Sequence, residues 1–275
     1  MTEVTTGWPA GRDGTAIDEM LLAEVEAIAG QAGETILTYY AGKIEARAKA
    51  DASPVTVADD AAEAVIIPAL RRLLPGIPVV SEESVAAGNI PQIRGPENPS
   101  HRFWLVDPLD GTKEFINRNG EFTVNIALIE NDRPVLGVVG VPALATTYGG
   151  IVPGIARVYR DGVAQEIRAR KPPADGLIVL SSRSHGDAAA LDAFLAGERV
   201  GGQRIAGSAL KFCLVAEGIA DLYPRLGRTM EWDTAAGHAV LAAAGGRVTT
   251  VDGADLTYGK PGFENPHFVA RGKAA

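Results

Sequence analysis

The sequence predicts an α/β protein in two parts, an α+β N-terminal half and an α/β C-terminal half. Three observations support this. Apolar residues recur at helical spacing from Ile17 to about Tyr40 (Leu21, Leu22, Val25, Ile28, Ala29, Ala32, Ile36, Leu37), which makes one long amphipathic helix. The runs 122–130 (FTVNIALIE) and 134–141 (PVLGVVGV) are apolar and β-branched, and the polar Asn131-Asp132-Arg133 between them marks a hairpin. Beyond about residue 165, strand-like and helix-like segments alternate, as in a mixed or parallel sheet flanked by helices.

Along the chain, residues 1–14 form a flexible leader, 15–165 a first domain and 166–275 a second. After the first helix the stretch 46–54 is polar, and a second helix is expected from Asp59 to Leu74, stopped by Pro75-Gly76. A strand over 77–81 ends in Glu82-Glu83, and 86–102, rich in Gly, Pro and Asn, is a surface loop. Phe103 to Val106 is a buried strand that breaks into a turn over 107–112. In the second half, a strand over 177–181, helices over 187–196 and 208–219, a short strand over 221–224 and a helix over 233–245 follow. Gly245-Gly246 closes the last helix.

Composition narrows the function classes. A hydrophobic content of 46 % with 22 % charged residues is that of a soluble globular protein. The net charge of −8 argues against a nucleic-acid polymer or an anionic membrane surface as partner. No apolar run reaches the roughly 18–20 residues of a membrane span. The N-terminus does not read as a signal peptide. A single cysteine, Cys213, rules out an internal disulfide, fits a reducing cytoplasm and lies in an apolar helix as a core residue. Without Cys or His clusters, zinc is not expected, and there is no P-loop or Gly-x-Ser-x-Gly elbow.

The densest chemistry is Trp104-Leu-Val-Asp-Pro-Leu-Asp-Gly-Thr112. Pro108 and Gly111 force a turn that projects Asp107 and Asp110 together, and two anions so close repel unless a cation lies between them. The Leu109 carbonyl can add a third oxygen, and the N–H groups of Gly111 and Thr112 open a helix where phosphate is welcome. The plainer alternative is an Asx-rich turn with Asp110 as a helix cap. Glu82 or Glu83 at a strand end, Asp233 at a helix start, and Asp59 with Asp60 at another invite the same two readings. Together they describe an oxygen cage for a hard cation such as Mg²⁺. In the second half, Ser182, Arg183 and His185 follow a strand and suit phosphate or ribose, or else form a polar turn. Gly207-Ser208-Ala-Leu-Lys211 opens a helix whose amides and Lys211 can hold a second anionic group.

Four segments, Pro54–Asp59 (PVTVAD), Ser81–Ser84 (SEES), Trp104–Thr112 (WLVDPLDGT) and Trp232–Ala239 (WDTAAGHA), resemble the signature of the inositol monophosphatase superfamily of metal-dependent, lithium-sensitive phosphatases. The resemblance runs over roughly residues 17–270. The stretches DGTKEFINRNGEFTVNIALI, SSRSH and GSALKFCLVAEG are most similar to its 3′(2′),5′-bisphosphate nucleotidase branch. The resemblance implies the layered α/β/α/β/α sugar-phosphatase fold and two or three Mg²⁺ ions per site. It implies hydrolysis of the 3′-phosphate of 3′-phosphoadenosine 5′-phosphate to AMP, with 3′-phosphoadenylyl sulfate as a second target, in sulfur assimilation. Metal ligation then falls to Glu82, Asp107, the Leu109 carbonyl, Asp110 and Asp233, and water activation to Asp59 and Thr112. Substrate contacts fall to Gly111, Thr112, Ser182, Arg183, His185, Gly207, Ser208, Lys211 and Asp233. A homodimer, a cytoplasmic location and loose contact with the inner membrane are compatible with it. The alternatives are an inositol 1-phosphate or fructose 1,6-bisphosphate phosphatase of the same superfamily, and a non-catalytic Mg²⁺-dependent nucleotide sensor.

Overall fold

Asp18 starts the first helix: its Oδ1 accepts the Leu21 amide at 2.9 Å, satisfying one of the helix's open N–H groups. The structure, a computed structural model, describes residues 16–42, 46–48, 54–182 and 188–273, so the expected leader lies outside the described residues. Helix α1 (Glu19–Ala41) is followed by the paired strands β1 (Ala46–Ala48) and β2 (Pro54–Thr56) and by α2 (Val57–Leu73). Thr56 and Asp59 form a capping box, so α2 begins two residues before the expected Asp59 and carries Asp59 inside its first turn. The chain continues through β3 (Val79–Ser81), α3 (Glu82–Ala86), β4 (Phe103–Asp110), α4 (Thr112–Ile116), β5 (Thr123–Glu130) and β6 (Arg133–Val141). Next are β7 (Thr146–Ile151), β8 (Ile155–Arg160), β9 (Val163–Glu166), β10 (Leu177–Ser182), α5 (Ala188–Leu195) and β11 (Val200–Ala206). The last elements are α6 (Leu210–Ala216), β12 (Leu222–Arg225), α7 (Ala235–Ala243), β13 (Arg247–Thr250) and β14 (Phe268–Arg271).

Two sheets organise the molecule. Strands β3 to β9 form a seven-stranded sheet in sequence order, parallel between β3 and β4 and antiparallel thereafter. A five-stranded mixed sheet has the order β11-β10-β12-β14-β13. Strands β4, β5 and β6 are buried at nearly every position because both faces of their sheet are covered. Alternation divides their side chains. Trp104, Val106, Ile126, Leu128, Leu136 and Val138 join the core with α1 and α2. Phe103, Leu105, Ala127, Ile129, Val139 and Val141 join the core that holds α6, α7 and the inner face of the five-stranded sheet. On that sheet's outer face, α5 supplies Leu195, beside Leu177, Val179 and Val269. The layers are thus α1/α2, sheet, α6/α7, sheet and α5, the α/β/α/β/α order.

Close approach makes this stacking possible. A Cβ at Gly137 on β6 would stand 2.5 Å from the Ala236 carbonyl of α7, so that helix rests directly on backbone. The hairpin expected between β5 and β6 turns through Asn131 and Asp132, both at positive φ (49° and 62°), as a two-residue type I′ turn demands. Gly245 (φ 88°) ends α7: its N–H donates to the Ala242 carbonyl and that of Gly246 to the Leu241 carbonyl, a Schellman closure. Among the described residues no helix is long and apolar enough to cross a membrane.

The structure corrects several local expectations. The strand over 103–106 does not break at Asp107. It runs to Asp110 through a bulge, with Asp107 opposite Asn125 and Asp110 opposite Thr123. Pro108, which has no N–H for a ladder, sits within that bulge. Glu82 is the first residue of the short α3 rather than the end of a strand. The strands β7, β8, β9, β11, β13 and β14 were not legible. β9 is exposed throughout, and β11 is exposed along most of its length, so neither shows apolar alternation.

Candidate metal centre

Glu82 and Asp107 come together because β3 pairs in parallel with β4, Ser81 standing opposite Val106. Glu82 follows the end of β3, Asp107 starts the bulge of β4, and Asp233 comes from the turn before α7. One oxygen from each lies within 4.8 Å of the others. Asp107 is buried, and its Oδ1 accepts the Leu109 amide at 3.1 Å, which holds the bulge in shape. Asp233 is not a helix cap: it precedes Thr234, and its Oδ2 accepts the Met230 amide at 2.9 Å. Hard oxygen donors, with no thiol or imidazole among them, suit a hard divalent cation.

Electrostatics supports that fit. Burial, and then the charges of Asp110 and Glu82, push the Asp233 carboxyl well above the ordinary carboxylate range. Burial is also the main cause that raises Asp110 to about 6, against the opposing pull of Lys211. Carboxylates gathered in this way retain protons until a cation neutralises them. Asp110 stands apart from the other three because it is the seam between the halves. Its Oδ2 accepts the Ala209 amide at 2.7 Å, with Thr123 Oγ1 and Asn125 Nδ2 each at 3.3 Å, and its carbonyl accepts Ser208 Oγ at 2.9 Å.

Asp59 is buried, and its Oδ2 accepts the Thr56 N–H at 2.8 Å and the Thr56 hydroxyl at 2.7 Å. Its other oxygen, Oδ1, accepts Thr112 Oγ1 at 3.4 Å. This brings the two expected water-activating residues together from segments 53 positions apart. Gly111 has φ 86° and ψ 47°, and a Cβ there would lie 2.1 Å from Ser208 Oγ, so only glycine fits the turn and the seam together.

The second half departs from expectation. The Gly207 amide donates to Glu121 Oε2 at 2.8 Å and the Ala209 amide to Asp110, so these N–H groups serve carboxylates of the first half rather than an incoming anion. Lys211 is buried, with Nζ donating to the carbonyls of Ser208 (2.7 Å) and Ala206 (3.3 Å) and lying over the Tyr223 ring. Burial lowers its pKa to about 8, while Asp110, Glu114 and Glu121 hold its charge. Lys211 thus turns inward here, toward the backbone carbonyls, and balances the acids of the seam. Ser208, at φ 49°, is fixed in the left-handed region by the same contacts. Ser182 ends β10 and its Oγ accepts Arg225 Nη1 at 3.1 Å. Arg183 and His185 lie outside the described residues. Arg225 itself was missed; its only sequence signal was a lone arginine closing the short run Leu222-Tyr-Pro-Arg225.

The model of the inositol monophosphatase family matches residues 16–273. The chain is 48 % identical over 255 residues to the 3′(2′),5′-bisphosphate nucleotidase CysQ of Escherichia coli K12, covering 90 % of this chain and 98 % of that protein. It is 39 % identical to CysQ of Buchnera aphidicola, covering 91 % and 93 %. Among solved structures, CysQ from Bacteroides thetaiotaomicron superposes with a TM-score of 0.73 at 36 % identity, over 92 % of this chain and 96 % of that one. An inositol monophosphatase from Anabaena also gives 0.73, at 26 % identity over 93 % and 91 %. A five-layer fold, a cluster of three carboxylates and a match over nearly the whole length lead to one conclusion: the chain belongs to the inositol monophosphatase family.

Proposed function

We propose that the chain is an Mg²⁺-dependent 3′(2′),5′-bisphosphate nucleotidase that converts 3′-phosphoadenosine 5′-phosphate to AMP and phosphate, with 3′-phosphoadenylyl sulfate as a second target. The observation that carries this is the convergence of Glu82, Asp107 and Asp233, together with the hydrogen bond that joins Asp59 to Thr112. The substrate class is supported by the nucleotidases to which the chain is 48 % identical. In this reading Glu82, Asp107, the Leu109 carbonyl, Asp110 and Asp233 hold two or three cations. Divalent cations supply positive charge that polarises phosphoryl oxygens and acidifies water.

The chain's own residues do the rest. Thr112 Oγ1 donates to Asp59, so its lone pairs are turned to accept a hydrogen of the attacking water. Asp59, oriented by two bonds from Thr56, takes up the released proton. The Gly111 and Thr112 amides at the start of α4 receive the phosphoryl group. Ser182, Arg183 and His185 frame the nucleoside together with Arg225. Gly207, Ser208 and Lys211 hold that frame against the metal side through Glu121 and Asp110. A cytoplasmic homodimer belongs to the same reading.

The test is phosphate release from 3′-phosphoadenosine 5′-phosphate and from inositol 1-phosphate, each with and without Mg²⁺. Mg²⁺-dependent preference for the nucleotide is expected. Preference for the inositol ester would discard the nucleotide frame but keep the cage. Mg²⁺-dependent nucleotide binding without turnover would make the protein a sensor.

A further inference from the structure

Glu63 has no part in the signature segments, yet it grips the corner from which Glu82 projects. Its Oε1 accepts the Ser84 amide at 3.1 Å, Ser84 Oγ at 3.1 Å and the hydroxyl of Ser81, which is wholly buried. Ser81 is the N-cap residue of α3, but its side chain makes no cap bond of its own. Thus a carboxylate from a different helix satisfies the first turn of α3, and Glu82 is the first residue of that turn.

A five-residue helix has little stiffness of its own and cannot keep a ligand side chain in register. Glu63 lies one helical turn after Asp59 on α2, a spacing that puts both residues on the same face. Helix α2 therefore works as a rigid bar: at one turn it carries Asp59, bonded to Thr112, and at the next it fixes the backbone that aims Glu82 at Asp107 and Asp233. We infer that Glu63 is a positioning residue for the metal centre, setting the place of Glu82 through Ser81 and Ser84 and locking it in register with Asp59. This rests on the metal-centre reading given above.

The test is calorimetric titration of the metal-free protein with Mg²⁺ alone, beside its thermal unfolding in EDTA. Glu63→Ala is expected to raise the Mg²⁺ concentration at half-saturation roughly 10- to 100-fold, the usual cost of losing a group that orients a metal ligand. Should that variant fail to fold, Glu63→Gln keeps reach and an acceptor and is expected to weaken binding by a smaller factor. The double variant Ser81→Ala/Ser84→Ala removes the grip but leaves the carboxylate, and is expected to weaken Mg²⁺ binding as well. If only the Glu63 variants weaken it, Glu63 acts through its charge and the positioning role is overturned. Lower melting temperatures with unchanged Mg²⁺ affinity would reduce Glu63 to an ordinary structural contact. Wild-type protein that binds no Mg²⁺ would instead overturn the metal centre itself.

Discussion

Asp110 should make the metal-free protein less stable at neutral pH than at mildly acidic pH. Its carboxyl, ordinarily near 3.8, is raised to about 6, first by burial. At roughly 1.4 kcal/mol per pH decade, the ionised form in the folded chain costs up to about 3 kcal/mol. The unfolded chain gives up this proton near pH 4 and the folded chain only near pH 6, so stability falls as pH rises through that window and stays low above it. Buried His238 acts in the opposite sense. It is pushed down from 6.5 to about 4, so the unfolded chain takes up a proton first and stability falls as pH drops through that range. The raw curve mixes the two, and the difference between wild type and Asp110→Asn separates them. Asparagine can still accept the Ala209 amide but carries no charge. Urea unfolding in EDTA should show Asp110→Asn gaining on wild type by up to about 3 kcal/mol between pH 4 and pH 7.5. Mg²⁺ should reverse the order, because it stabilises the folded protein that binds it more tightly. A difference that stays flat across that range, or that shrinks as pH rises, would refute the reasoning.

Three further outcomes are expected. Asp107→Asn should lower Mg²⁺-dependent phosphate release on the order of a thousandfold or more, measured at saturating substrate with folding checked by circular dichroism. Gly111→Ala places a side chain in the left-handed region, at about 1–2 kcal/mol, and its Cβ displaces Ser208 Oγ, which loses the bond to the Asp110 carbonyl for about another 1 kcal/mol. A drop of about 2–3 kcal/mol in urea unfolding is therefore expected. His238→Gln should abolish the loss of stability between pH 6.5 and pH 4 assigned to His238, read from denaturation midpoints across that range.

Much of this protein could be read from residues close together in sequence. The helical spacing over 17–40 became α1, and the two apolar runs around Asn131 became the β5–β6 hairpin, because each is a local pattern with one dominant period. The bulge between Asp107 and Asp110 contains Pro108, whose missing N–H marks the break in the ladder, although the turn expected there is a continued strand. The exposed strands β9 and β11 escaped because their pairing partners, not their own side chains, keep them extended.

What the sequence determined alone was the two-part α/β character, through spacing and turn chemistry, and, through the resemblance of its short signature segments, the family and its layered fold. Tertiary structure alone decided how those residues are used. It brought Glu82, Asp107 and Asp233 within reach of one another and joined Asp59 to Thr112. It also turned Lys211 and the Gly207 and Ala209 amides inward to the seam and set Glu63 behind Glu82. The physical reason is that a charged group's role depends on burial and on neighbours brought together by packing, and one-dimensional spacing specifies neither.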